Sequence, residues 1–91
     1  MELKNYMETV VLNKLDKVLA SYPGYCTCEK CRRDVAMLTL NHLSPKYVSS
    51  RKGDIYARVD EMELQYEVAV IQEIAKAIEI VHEYPRHDDP E

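Results

Sequence analysis

Cys26, Cys28 and Cys31 fall within six residues, in the run Cys26-Thr27-Cys28-Glu29-Lys30-Cys31. Zinc takes four ligands, and thiolates are among its best. Cys28 and Cys31 have the spacing of half a zinc site, because a turn entering a helix brings two such sulfurs onto one ion. Cys26 adds a third sulfur from the approaching loop. Lys30, Arg32 and Arg33 lie within or directly after the run, and cations favour the thiolate form. The cluster therefore reads as a structural Zn2+ site with Cys26, Cys28 and Cys31 as ligands. One coordination position is left over. His42 sits eleven residues past Cys31 on the same predicted helix. At 1.5 Å per residue it is roughly 16 Å away and cannot join in its own chain. His82, His87, a carboxylate, water and a residue of a second subunit remain as candidates. His82 is the preferred histidine.

Three rival uses of the cysteines carry less weight. A redox pair would expect a thioredoxin-like βαβ setting, and no such pattern is present. A catalytic zinc would want a nearby general base and a pocket. Free reduced thiols with no role are the bland alternative. Elsewhere the chain offers little chemistry. Asp60-Glu61 and Asp88-Asp89 look like helix-start and tail acids, not an acid/base pair. Gly24 and Gly53 are the only glycines, so no phosphate loop exists, and no Ser stands in a nucleophile elbow. The expectation is a protein that is not an enzyme.

The elements that would position the cluster are helical. Leu3, Met7, Val10, Val11, Leu12, Leu15, Val18 and Leu19 give an apolar stripe that predicts a first helix from Leu3 to about Ala20. Ser21-Tyr22-Pro23-Gly24 ends it. Val35, Leu38 and their neighbours predict a second helix from about Glu29 to Leu43, broken by Ser44-Pro45. Lys46 to Ser50 reads as extended, Arg51 to Asp54 as a turn, and Ile55 to Val59 as a second extended stretch. Asp60 reads as the N-cap of a third helix with the stripe Leu64, Val68, Ile71, Ala75, Ile78 and Val81, widened by Val70, Ile74, Ala77 and Ile80 and closed by Pro85. The fold class is thus mainly α: three helices, a zinc knuckle between the first two, and a short extended segment between the last two. Residues 1–85 form one domain and residues 86–91 a polar tail.

With 91 residues the core is small, and small domains add a metal, disulfides or a partner. Apolar residues make up 46% and charged residues 31%, the balance of a folded domain. Seven Tyr stand in for all the aromatics, and such residues suit interfaces. The apolar faces of helices one and three exceed what one small chain covers, which predicts a homodimer. A net charge of −4 argues against direct nucleic-acid binding. No signal sequence and no membrane-length apolar run is visible, so the expectation is a cytoplasmic protein with no membrane partner, whose thiols stay reduced. The basic run Lys46 to Lys52, with Arg58, could hold a phosphate-bearing ligand, although a solvated loop is the commoner use of such a run.

The stretch Cys31-Arg32-Arg33-Asp34-Val35-Ala36-Met37-Leu38-Thr39-Leu40-Asn41-His42-Leu43-Ser44-Pro45-Lys46-Tyr47-Val48-Ser49 resembles the signature of the late competence development protein ComFB family. The cysteine-bearing form looks like the Bacillus-type member. Ser44 replaces the first Pro of the commoner Leu-Pro-Pro pattern. The resemblance implies a small helical dimer of the competence operon of transformable bacteria, beside a helicase-like DNA-uptake motor and a phosphoribosyltransferase-like protein. It also implies competence proteins as partners and no enzymatic activity. Some relatives, notably cyanobacterial ones, are receptors for cyclic dinucleotides, which makes c-di-GMP or c-di-AMP a candidate ligand. Asp34, Asn41, Tyr47 and Arg51, in or beside the matching block, are the first ligand-binding residues to consider.

Overall fold

The computed structural model describes residues 3–49 and 52–84, with side chains over residues 3–47 and 64–84. The chain runs β1 (Leu3–Asn5), α1 (Tyr6–Leu19), α2 (Glu29–Asn41), β2 (Tyr47–Ser49) and α3 (Lys52–Glu83). The three helices pack on one another, and β1 and β2 form a two-stranded antiparallel ribbon at one end. Three helices, a cysteine cluster between the first two and a short strand between the last two are as the sequence predicts.

Apolar faces of the three helices meet in one core, and on α3 that face runs through Val70, Ile74 and Ala77 rather than through Leu64, Val68 and Ile71, which are exposed. From α1 come Met7, Val10, Val11, Leu15 and Leu19; from α2, Cys31 and Val35; from α3, Val70, Ile74, Ala77, Ile78 and Val81. The helical spacing on α1 puts those five side chains on one face, against α2 and α3. Thr39 is fully buried on α2, and its hydroxyl donates to the Val35 carbonyl at 2.8 Å. Lys14 reaches across to Glu67 at 3.1 Å, tying α1 to α3 beside the core. Arg32 on α2 holds Asp16 on α1 in a forked pair, Nε to Oδ1 at 3.1 Å and Nη2 to Oδ2 at 3.0 Å. That pair is exposed and contributes about 1 kcal/mol or less.

Three expectations about element ends are corrected. The first helix begins at Tyr6, not Leu3, because Leu3–Asn5 pairs with Tyr47–Ser49 in the register Leu3 to Ser49. Asn5 makes the switch. Its Oδ1 accepts from the Met7 N–H at 3.1 Å, capping α1, and from the Lys46 N–H at 2.8 Å, holding the entry to β2. Asn5→Ala orphans both donors, and thermal melts should show a loss of about 1–2 kcal/mol. The second correction concerns Ile55–Val59 and the Asp60 cap: α3 runs unbroken from Lys52. Ile55, Val59, Met62, Tyr66 and Val70 recur every three or four residues, so the helical period of α3 extends back through the run read as extended. The second helix also stops slightly early, at Asn41, and the His42 and Leu43 N–H groups close the end by donating to the carbonyls three residues back, on Thr39 and Leu40.

Candidate metal centre

The loop from Ala20 to Cys28 carries the chain from α1 to α2. The Ser21 and Tyr22 N–H groups bond back to the Val18 and Leu19 carbonyls, and Gly24 then turns the chain at φ +91°, a conformation that L side chains rarely adopt. Tyr25 fastens the loop to α3. Its ring stacks on His82 with centroids 3.7 Å apart and planes 12° apart, and its hydroxyl donates to Glu79 Oε1 at 2.7 Å. Tyr22 leans on Tyr25 at 5.2 Å. The Glu79 bond, above all, pushes the Tyr25 phenol up from its ordinary value.

The cysteines follow directly. Cys28 is the N-cap of α2, and its sulfur accepts the Cys31 N–H at 3.4 Å. Cys31 lies on the inner face of the first turn, 2% exposed, while Cys26 and Cys28 are half-buried. The three sulfurs all lie within 4.8 Å of one another, and no described histidine or carboxylate joins them at that distance. Three soft donors converging on one point suit a tetrahedral, thiolate-rich ion. Burial, with the two neighbouring sulfurs, pushes the Cys31 thiol up to about 12. A metal ion reverses that preference, because a coordinated thiol is deprotonated outright.

The basic residues take roles other than those the sequence implies. Arg32 faces Asp16, and Arg33 bonds Glu29 at 3.3 Å on the exposed side of α2. His42 stays far along α2, with its Nδ1 donating to the Leu38 carbonyl at 2.7 Å. His82 stands at the cysteine end of the molecule, against the residue that precedes Cys26. His87 lies outside the described residues. The Tyr25 and His82 stack was not legible in the sequence, since residues 57 apart carry no spacing signal.

Three of the four residues named for ligand binding are described. Asp34 is buried on α2, its Oδ2 without a hydrogen-bond partner among the described residues. Asn41 is exposed two turns further on, about 10 Å along the helix axis. Tyr47 is 64% exposed at the start of β2, and Arg51 lies outside the described residues. A cavity of about 340 Å³ opens nearby, lined in part by His42, Leu43, Lys46, Tyr66 and Glu73. There the Lys46 ammonium sits 5.4 Å from the centre of the Tyr66 ring. No described helix is long and apolar enough to cross a membrane.

Comparison with known proteins points one way. Residues 4–85 match the family model of the late competence development protein ComFB. The competence protein ComFB of Bacillus subtilis (strain 168) is 32% identical over 83 residues, which cover 91% of this chain and 85% of that protein. A solved structure of the late competence protein ComFB from Bacillus subtilis superposes with a TM-score of 0.80 at 32% identity, over 92% of this chain and 94% of that one.

Proposed function

Because the chain belongs to the late competence development protein ComFB family, we propose that it is a non-enzymatic, cytoplasmic, zinc-stapled homodimer acting in competence through contacts with other proteins. The convergence of the Cys26, Cys28 and Cys31 sulfurs carries this reading. In it the three thiolates hold a structural zinc that fixes the α1–α2 loop on the start of α2. His82 is the side chain we assign to the fourth position, since its ring stacks on Tyr25, the residue that precedes Cys26. Metal analysis of the purified protein tests the zinc, and less than about half an equivalent per chain sinks it. X-ray absorption tests the ligand set: His82→Ala should remove the nitrogen scatterer and leave the three sulfurs.

The dimer is supported by α3. Leu64, Val68 and Ile71 form one stripe, exposed by 79%, 69% and 37%. A second copy of the chain is the partner proposed for it. Val68→Asp places a charge in the middle of the stripe and should give a monomer in analytical ultracentrifugation. A dimer that survives the substitution assigns the contact to another face.

The cavity beside Lys46 supports a second reading, a receptor for a cyclic dinucleotide, because a cation at the rim and an aromatic wall suit a phosphate and a base. Calorimetry with c-di-GMP and c-di-AMP separates the two readings. No heat at about 100 µM of either removes the receptor.

A further inference from the structure

A groove runs between the end of α2 and the middle of α3. The cavity of about 340 Å³ beside Lys46 is continued by a second of about 210 Å³, walled by Leu38, Lys76, Ala77 and Ile80, and His42 and Glu73 line both. From Tyr66 to Ile80 the groove follows α3 for about 21 Å, close to four helical turns. We propose that it docks an amphipathic helix of another protein, one whose apolar stripe ends in a carboxylate that pairs with Lys46. This rests on the reading that the chain acts through contacts with other proteins, and it names the shape and charge of the contact.

The shape comes first. A trough of that length between two helices takes a helix laid along it, read through side chains at i, i+3 or i+4, and i+7. Leu38, Ala77 and Ile80 supply an apolar wall in the second cavity, and Ile80 is 45% exposed, so it has area left to bury. A phosphate-bearing small ligand has a use for the Lys46 end but none for that wall.

The charge then selects the occupant. Glu73 and Lys76 are bonded at 3.3 Å and cancel each other in the middle of the groove. The His42 Nδ1 is held by the Leu38 carbonyl. Lys46 is half-buried, with its ammonium 5.4 Å from the centre of the Tyr66 ring, and no carboxylate pairs with it among the described residues. On a chain of net charge −4, the groove therefore offers apolar walls, a neutral middle and a cation at one end. A carboxylate brought there gains a charge-assisted bond in a partly dry site, and a cation is repelled.

The test pans a display library of random helical peptides, about 14 residues long, against the full chain. The expected binders carry apolar residues at helical spacing and an Asp or Glu at one end. Lys46→Glu should weaken the best of them about tenfold or more, and exchanging the peptide's acid for Lys should restore binding to that variant. The restored binding also shows that the variant is folded. Ile80→Asp should weaken the peptide as well, whereas Val68→Asp, on another face of α3, should leave it unchanged. No enriched peptide, an enriched stripe without an acid, or a Kd indifferent to Lys46→Glu overturns the proposal. So does binding that Val68→Asp abolishes and Ile80→Asp spares. Calorimetric heat with c-di-GMP or c-di-AMP that Lys46→Glu removes gives the cavity to that ligand and overturns the helix. Zinc content and the oligomeric state of Val68→Asp judge the wider reading without any peptide, so the two fail separately.

Discussion

Replacing Cys28 with serine should strip most of the zinc and lower the melting temperature by about 10 °C or more, with the helix cap left intact. Serine is a better N-cap than cysteine, and its hydroxyl can accept the Cys31 N–H that the sulfur now accepts. The substitution therefore separates the two duties of Cys28. If the sulfur served only as a cap, Cys28→Ser would be neutral or slightly stabilising. If it holds a metal, a ligand is lost. Structural zinc is worth roughly 10–16 kcal/mol in peptides that have no other core. This chain has a core of its own, so a smaller share, about 3 kcal/mol, is enough for the predicted shift, at 4–8 °C per kcal/mol for a domain of this size. Differential scanning calorimetry with metal analysis on the same sample checks both halves. A melt unchanged by the substitution, with zinc still bound, rules out Cys28 as a ligand. Zinc uptake should also rise with pH, because the ion must displace the proton that burial holds on Cys31.

The second large effect lies in the core. Ile74→Ala should cost about 2–5 kcal/mol, read as a lower denaturant midpoint with an unchanged slope. Ile74 is fully buried on α3, among side chains from α1 and α2. Removing three carbons there leaves a space that three packed helices cannot close without shifting one another. Ile80→Ala, one and a half turns further on, makes the comparison. Ile80 is 45% exposed, and the same truncation should cost about 1 kcal/mol or less. Similar losses at the two positions would mean that α3 is not held by the face described here.

The helical bulk of the fold was legible because burial imposes a period. Val10, Leu15, Val35 and Val81 are inside, each on a stripe visible in the sequence, and Ile74 lies on the widened edge of the third stripe; Leu64, Val68 and Ile71, on the line of that stripe, are exposed instead. The cysteine cluster was legible for a related reason: a metal needs its donors at short spacing, and C-x-C-x-x-C is short. The misreadings came where two local signals competed. Around Lys52-Gly53-Asp54 the turn-forming residues outweighed a helical period that continues back to Ile55, and α3 passes through them. At Leu3 the stripe of α1 extended one turn too far, because strand pairing with Tyr47–Ser49 depends on residues more than forty positions away. The Tyr25 stack on His82 and the buried carboxylate of Asp34 were invisible for the same reason. Both are products of how the helices pack, and a single chain without its fold does not encode them in any spacing.

The double duty of Asn5 has a consequence for the order in which the protein is made. Its bond to Met7 is local and can close as soon as α1 winds, but its bond to Lys46 spans 41 residues. During synthesis the chain emerges from its amino end at about 5–20 residues per second. For about 1–4 seconds α1 and the whole cysteine loop are outside the ribosome while the segment that completes the Asn5 anchor, 15 to 18 residues behind Cys31, is still inside it. In that interval the sulfurs are already available, and metal capture can precede the closing of the ribbon. The cysteine end of the molecule would then be assembled first, and the β1–β2 end would be sealed last.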